Sequence, residues 1–154
     1  MIAPMPLYLP GHWARRFFDL AELVAGWSKD PSTQVGAVIV DPRKRVVSLG
    51  FNGLPSGIHD DPDVLEDRDR KLALTLHAEE NAILFAQRDL TGCSIFTWPL
   101  PPCAHCAAKI VQAGIRQAFV PTAPTEEPSR WAANMTLARS IMKEAGVRIL
   151  VMER

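Results

Sequence analysis

The chain carries His77-Ala78-Glu79 and, further on, Pro102-Cys103-Ala104-His105-Cys106, and these two stretches decide how it must fold. The side chains of His77, Cys103 and Cys106 are zinc ligands by type, and three protein ligands leave a fourth tetrahedral position open, as in a catalytic site. The two thiols are three residues apart, so they share one face of a helix start, where the helix dipole favours thiolate. His77 and Glu79 are two residues apart and converge only where the chain enters a helix. We therefore expect two helix N-termini to meet at one zinc ion.

Each stretch taken alone also has an ordinary interpretation. An H-x-E triplet is commonly a surface feature of a helix, and a C-x-x-C pair in a cytosolic protein can be a redox site. A redox site would leave His77 and Glu79 without a role. A zinc-stabilised binding module without catalysis stays open as an alternative, and it requires protein to fill the fourth position. The remaining cysteine, Cys93, is expected to be a buried, inert thiol within a strand.

Two neighbouring side chains are interpreted as lying outside the chemistry. His105 projects about a hundred degrees away from either cysteine on a helix, so we expect it to point away from the ion. Glu80 is expected to be a solvated helix residue, and Glu79 occupies the acid/base position. The aromatic residues of the first and last helices are expected to belong to the core.

Hydrophobic periodicity predicts four helices and five strands. In chain order they are a helix over 11–28, strands over 35–40 and 45–51, a helix over 72–88, a strand over 93–98, a helix over 103–113, a strand over 115–120, a helix that buries Trp131, Met135, Ala138, Met142 and Ala145, and a strand over 147–151. Residues 51–63 and the stretch marked by Pro121, Pro124 and Pro128 are predicted loops. A hairpin followed by helical crossovers predicts an α/β protein, a three-layer α/β/α sandwich with a five-stranded mixed sheet.

Composition narrows the class of protein. With 154 residues, 47% hydrophobic and 22% charged, the whole chain 1–154 is expected to be one soluble domain. Lys+Arg and Asp+Glu both number 17, so no global positive field favours nucleic acid, and a small-molecule substrate is expected instead. We do not expect the proline-rich start to be a signal peptide or a membrane span, and the few cysteines suit a reducing compartment. We expect a cytoplasmic protein that does not bind membranes.

Beyond the two stretches, the chain resembles the deoxycytidylate deaminase branch of the cytidine deaminase-like zinc deaminases, whose metal motif is H-x-E followed by P-C-x-x-C. The matching segments are Ser28-Lys29-Asp30-Pro31-Ser32-Thr33-Gln34-Val35-Gly36-Ala37, Gly50-Phe51-Asn52-Gly53-Leu54-Pro55-Ser56-Gly57, His77-Ala78-Glu79-Glu80-Asn81-Ala82-Ile83 and Pro102-Cys103-Ala104-His105-Cys106-Ala107. The resemblance runs from about residue 20 to residue 121.

This resemblance implies hydrolytic removal of the 4-amino group of a pyrimidine nucleotide, with dCMP converted to dUMP and ammonia. It implies that His77, Cys103 and Cys106 bind zinc, that Glu79 moves protons, that Asn52 contacts the sugar, that the Ala37 backbone contacts the base edge, and that the Pro102 carbonyl contacts the exocyclic amine. A homo-oligomer is also expected from the family.

Features around these positions leave the substrate open. The stretch from Thr97 to Cys103 is two residues longer than the family pattern, and Phe51 stands where Tyr is usual. Lys29 and Ser56 are candidate phosphate contacts because they lie in the matched loops, although Lys29 also fits a solvated helix end. Deamination of another free base or nucleoside, such as cytosine, cytidine or guanine, or of a base in RNA, remains the alternative.

Overall fold

The computed structural model describes residues 9–123 and 129–153, and the elements below are those of the described residues. The helices are α1 (Gly11–Ala25), α2 (Pro62–Glu66), α3 (Arg68–Leu74), α4 (Ala78–Ala86), α5 (Ala104–Gln112) and α6 (Ser129–Glu144). The strands are β1 (Gly36–Val40), β2 (Val46–Phe51), β3 (Ser94–Trp98), β4 (Gln117–Pro121) and β5 (Arg148–Met152).

The five strands form one mixed sheet in the order β2-β1-β3-β4-β5. Strand β1 pairs antiparallel with both β2 and β3, whereas β3, β4 and β5 are mutually parallel neighbours. The β1–β2 pair is the predicted hairpin, and β3 pairs antiparallel with the other edge of β1. The parallel pairs β3–β4 and β4–β5 follow from the helical crossovers. The predicted mixed sheet is confirmed.

Side chains alternate between the two faces of the sheet and define three layers. Val38 and Val40 belong to a cluster with α1, whereas Ala37 and Ile39 belong to a second cluster with α4, α5 and α6. This period of two is the pattern of a strand buried on both faces. The predicted α/β/α sandwich is therefore confirmed, and α4 and α5, whose starts carry the two sequence stretches, lie on the same face.

A glycine sets how closely α4 approaches the sheet. A Cβ atom at Gly50 in β2 would overlap the backbone of Ala78 and Ala82. Only a residue without a side chain allows this approach. The contact holds the first turn of α4 directly on the end of the hairpin.

The predicted helix over 72–88 is interrupted at residues 75–77 and ends at Ala86. The chain forms α3, then runs extended through Thr75 to His77, and begins α4 only at Ala78. Leu76 exchanges two backbone hydrogen bonds with Gly53, which holds this segment extended. Helices α2 and α3 are capped by Asp61 and Asp67, whose side chains accept from Val64 and Arg70 N–H. The loop prediction over 51–63 therefore ended too late, helix α2 was missed, and α3 begins four residues before the predicted helix.

The last helix buries only part of its predicted stripe. Met135, Ala138 and Met142 are buried, but Trp131 is 40% exposed and Ala145 is also exposed. On the first helix, Trp27 lies beyond the last turn and is exposed rather than part of the core. The predicted loop at Pro124 and Pro128 lies outside the described residues, as do residues 1–8, and Pro121 ends β4. Among the described residues, no helix is long and apolar enough to cross a membrane.

Candidate metal centre and active site

His77 and Cys103 are each the last extended residue before a helix. His77 is the N-cap of α4 with φ −75° and ψ 158°, and Cys103 is the N-cap of α5 with φ −76° and ψ 173°. Extended backbone at an N-cap lets the side chain turn toward the helix start, as capping side chains do. Cys106 lies in the first turn of α5. The two helix N-termini therefore present three ligand side chains to one point.

The three ligand atoms are spaced for one tetrahedral ion. His77 Nδ1 lies 3.5 Å from Cys103 Sγ and 3.3 Å from Cys106 Sγ, and all three candidate ligand atoms lie within 4.8 Å of one another. A tetrahedral zinc with ordinary Zn–S and Zn–N bonds separates sulfur from nitrogen by about 3.5 Å. The donor set and its spacing therefore fit zinc.

The electrostatics of the thiols also favour a cation. A hydrogen bond with Cys106 lowers the pKa of the Cys103 thiol to about 4, and the same contact raises the pKa of Cys106. The hydrogen bond with Cys103 raises the pKa of His77. Two adjacent thiolates repel each other, so the second can ionise at neutral pH only when a cation lies between them.

Glu79 is the buried carboxylic acid of the site. Its side chain lies one residue into α4, is only 4% exposed and lines a large cavity. Burial raises the pKa of the Glu79 carboxyl to about 7, before the positive charge of a bound ion is counted. A group that titrates near neutral pH can accept and return a proton efficiently.

The cavity has a volume of about 560 Å³, large enough for a small organic ligand. His77, Cys103 and Glu79 line it at the helix starts. The rest of the wall comes from residues 30–35, helices α2 and α3, the loop before α5, and helix α6. The longer Thr97–Cys103 stretch contributes Leu100 and Pro101, and Trp131 adds an aromatic ring. The expectation that this tryptophan is a core residue is therefore wrong, because its end of the helix stripe lines the cavity.

Asn52 lines the cavity and organises its wall. It is 8% exposed; its side-chain oxygen accepts from Val35 N–H at 2.9 Å and its amide donates to the Thr33 carbonyl at 2.8 Å. Asn52 therefore holds the segment that forms one side of the cavity, and each of its polar groups retains capacity for one further hydrogen bond. Ala37 and Pro102, predicted to contact the base through backbone atoms, are fully buried and lie outside the cavity wall.

Two cations of α3 line the cavity, and the sequence interpretation missed both. Lys71 Nζ lies 2.9 Å from Asp30 Oδ1 and 3.2 Å from Ser32 Oγ, and both charged side chains are largely buried. Arg68 is exposed and its side chain makes no ion pair or hydrogen bond to another described residue. The one sequence signal for this part of the cavity was Asp30, which lies in a segment that matches the family. No pattern in the sequence around Lys71 indicates a site residue.

The structure does not bring Lys29 and Ser56 to this cavity. Lys29 pairs with Asp60 at 2.8 Å, is 71% exposed, and lines a neighbouring cavity of about 260 Å³. Phe51 lines the same smaller cavity and not the large one. The replacement of the usual tyrosine by Phe51 therefore does not change the wall of the large cavity. Ser56 is exposed and lines neither cavity.

Of the residues predicted to lie outside the chemistry, Glu80 differs from its prediction. Glu80 is not simply solvated: it accepts hydrogen bonds from His77 N–H and from Lys109. His105 is exposed and is not among the grouped ligands of the described residues. Cys93 is fully buried, and burial raises the pKa of its thiol, as expected of an inert cysteine.

Comparison with known proteins gives the family. Residues 11–122 match the family described as the cytidine and deoxycytidylate deaminase zinc-binding region. The chain belongs to this family. The match includes both helix starts, so zinc is the metal of this deaminase, and the three grouped side chains are the ones positioned to hold it.

Relatives of this deaminase include proteins from bacteria and animals. It is 51% identical to an uncharacterized deaminase in the luxG 3' region of Aliivibrio fischeri, over 89% of this chain and 91% of that one. It is 38% identical to the deoxycytidylate deaminase of Mus musculus, over 88% of this chain and 76% of that one. The structure of the dCMP deaminase from cyanophage S-TIM5 in complex with dCMP and dUMP superposes with a TM-score of 0.74 at 23% identity, covering 94% of this chain and 100% of that one. This last likeness supports the cytidine deaminase-like fold.

Proposed function

We propose that residues 1–154 act as one zinc-dependent deaminase domain that hydrolyses dCMP to dUMP and ammonia. The observation that carries this proposal is the placement of Glu79, a nearly buried carboxyl beside an open set of three zinc ligands at the wall of a cavity. The identity to deoxycytidylate deaminases supports the choice of substrate.

His77, Cys103 and Cys106 would hold the zinc through one nitrogen and two sulfurs. Zinc bound by such a set makes water a competent nucleophile at neutral pH, because it lowers the pKa of that water to about 7. The remaining chemistry falls to Glu79, which lines the cavity beside His77 and Cys103 and is therefore placed for the catalytic role.

Glu79 would carry both protons of the attacking water. It delivers the first to ring atom N3 as the oxygen adds to C4, and it delivers the second to the exocyclic amine. The C4–N bond then breaks, ammonia leaves, and C4 becomes a carbonyl. A buried carboxyl with a pKa of about 7 suits both accepting and donating steps. The Pro102 carbonyl and the Ala37 backbone remain the proposed contacts of the amine and the base edge, and Asn52 that of the sugar.

The phosphate of the nucleotide needs a cationic partner. Lys29 and Ser56 remain the contacts predicted from the matched loops, and Lys29 would have to leave Asp60 to serve. Arg68 is a second candidate because it lines the cavity without an ion pair to another described residue. A different base or nucleoside remains the alternative substrate, because Leu100 and Pro101 of the longer loop reach the cavity wall.

We also propose that the chain forms homo-oligomers in the cytoplasm. Leu84 and Phe85 on α4 are each more than 60% exposed. The rings of Trp27 and Phe51 are also exposed and stand 6.3 Å apart, and Asn81 of α4 donates a hydrogen bond to the Phe51 carbonyl. Large apolar patches of this kind mark protein interfaces. The free thiols suit a reducing compartment. Light scattering of Phe85→Glu against the unchanged protein tests the assembly, and an unchanged mass would count against this interface.

The test of the enzymatic proposal is Glu79→Gln. The amide cannot accept and return protons, so turnover of dCMP should fall by at least about 10²–10⁴-fold. Metal analysis should still give one zinc per chain, because the three ligands are untouched. Near-normal turnover in a zinc-loaded Glu79→Gln protein would exclude Glu79 as the proton carrier.

A further inference from the structure

The carboxylate of Glu80 joins the two helices that carry the zinc ligands. Its Oε1 accepts from the His77 backbone N–H at 2.9 Å, and its Oε2 accepts from Lys109 Nζ at 2.7 Å. His77 is the N-cap of α4, and Lys109 lies in α5, three residues after Cys106. The Glu80 side chain is 18% exposed, whereas that of Lys109 is 45% exposed. One side chain therefore touches the backbone of one ligand and the helix of the other two.

The first contact fixes the backbone of His77. A helix start has N–H groups without partners inside the helix, and a Glu three residues after the N-cap satisfies the N-cap N–H. This bond holds His77 extended, which keeps its Nδ1 at 3.5 Å and 3.3 Å from the two sulfurs. A His77 that turned into the helix would carry its ring away from Cys103 and Cys106.

The second contact fixes α5 relative to α4. Lys109 and Cys106 are three residues apart and share one face of α5, so the ion pair acts on the face that carries the sulfur. The pair is a charge-assisted hydrogen bond, which is stronger than a neutral one. It also places a cation beside the two thiols.

We propose that Glu80 is a positioning residue of the zinc site. It holds His77 in its ligating conformation and, through Lys109, fixes the position of helix α5 relative to His77. This inference does not depend on which base is deaminated, because it concerns how the ligands are held. An ordinary surface ion pair would change stability slightly and leave metal affinity alone. Neither Glu80 nor Lys109 lines the cavity, so effects on metal and on substrate can be separated.

Three variants separate the two contacts. Glu80→Leu removes both. Glu80→Gln keeps an oxygen for the His77 N–H but removes the charge that pairs with Lys109, and Lys109→Met removes the ion pair alone. The matched control is Arg45→Met, which breaks the 3.2 Å ion pair of Arg45 with Asp41 in the β1–β2 hairpin.

The measurements are the zinc dissociation constant of the whole chain, by competition with a chromophoric chelator, and the absorption spectrum of the cobalt-loaded protein. Glu80→Leu should weaken zinc binding by about 10- to 100-fold, the usual effect of removing a partner that orients a ligand, and should alter the cobalt spectrum. Glu80→Gln and Lys109→Met should each weaken binding by a smaller factor, and Arg45→Met should leave both readouts unchanged.

Zinc binding by Glu80→Leu as tight as that of Arg45→Met, with an unchanged cobalt spectrum, would overturn the proposal. If Glu80→Leu does not fold, the decision rests on the two milder variants. Weaker zinc binding in both than in Arg45→Met supports the positioning role, and unchanged binding in both contradicts it.

Discussion

Asn134 Oδ1 accepts a hydrogen bond from the Ala104 backbone N–H at 2.9 Å, so helix α6 satisfies the first turn of the helix that carries Cys103 and Cys106. The last helix thus has two tasks at the site. Trp131 and Met135 line the cavity, and Asn134, between them in sequence, secures the start of α5. A helix distant in sequence from both metal stretches therefore supports the metal centre.

Asn134→Ala should lower the free energy of unfolding by about 1 kcal/mol, because the Ala104 N–H loses its acceptor at a helix start. Asn134→Asp keeps an oxygen in the same place and should restore most of this loss. Urea denaturation of the zinc-loaded proteins measures the difference. Equal destabilisation in the two variants would show that the hydrogen bond to Ala104 is not what Asn134 contributes.

The buried pair of Asp30 and Lys71 should make stability depend on pH. Burial acts to raise the pKa of Asp30, but hydrogen bonds from Lys71 and from the Ser32 and Thr33 N–H groups outweigh it and hold the pKa below its ordinary value. A carboxyl with a depressed pKa stabilises the fold fully above its unfolded pKa of about 3.9, and this contribution is lost as the pH falls through the lower folded value.

Asp30→Asn should therefore be destabilised at pH 7 by about 3 kcal/mol, since it leaves the Lys71 charge buried without its counterion. The difference from the unchanged protein should shrink below about pH 4. Urea denaturation at a series of pH values tests this. Both proteins should lose zinc in acid, because protons compete for its ligands. Only the difference between them therefore reports on Asp30, and a difference that stays constant from pH 7 to acid would contradict the assignment.

Arg68 and Lys29 make opposite predictions about the phosphate. If Arg68 binds it, Arg68→Gln should raise KM for dCMP by about 10-fold or more, the worth of one charge-assisted contact, while Lys29→Gln changes little. If Lys29 binds the phosphate instead, Lys29→Gln should raise KM for dCMP and Arg68→Gln should change it little. Deoxycytidine is the control substrate, because it lacks the phosphate and neither variant should change its kinetics. Equal effects on dCMP and deoxycytidine would show that neither residue acts through the phosphate.

Local sequence was sufficient for the sheet and for the grouping of the three candidate zinc ligands, for identifiable physical reasons. The run from Val35 to Val40 is apolar and contains four β-branched residues, so its strand was predicted to within one residue. The spacing of Cys103 and Cys106 required a helix start, and the structure has α5 beginning at Ala104.

The parts that were missed depend on contacts between distant residues. The extended segment before His77 is held by Gly53, which no helical periodicity can reveal. Lys71 acquires its role only because Asp30 lies opposite it, and Glu80 because Lys109 does. The helical spacing predicted that Trp131 packs in the core. Trp131 is exposed instead, because it lines the cavity beside α6.

The most direct test of the central claim is the value of kcat/KM for dCMP beside those for CMP, deoxycytidine, cytosine, guanine and adenosine, measured by ammonia release with the zinc-loaded protein. A site that binds a phosphate discriminates strongly against a substrate that lacks it, because its charged groups are left without partners. We predict that dCMP gives the highest value and that dUMP accumulates as ammonia is released. A comparable or higher value for deoxycytidine, a free base or a purine would contradict the proposal that this enzyme is a nucleotide deaminase.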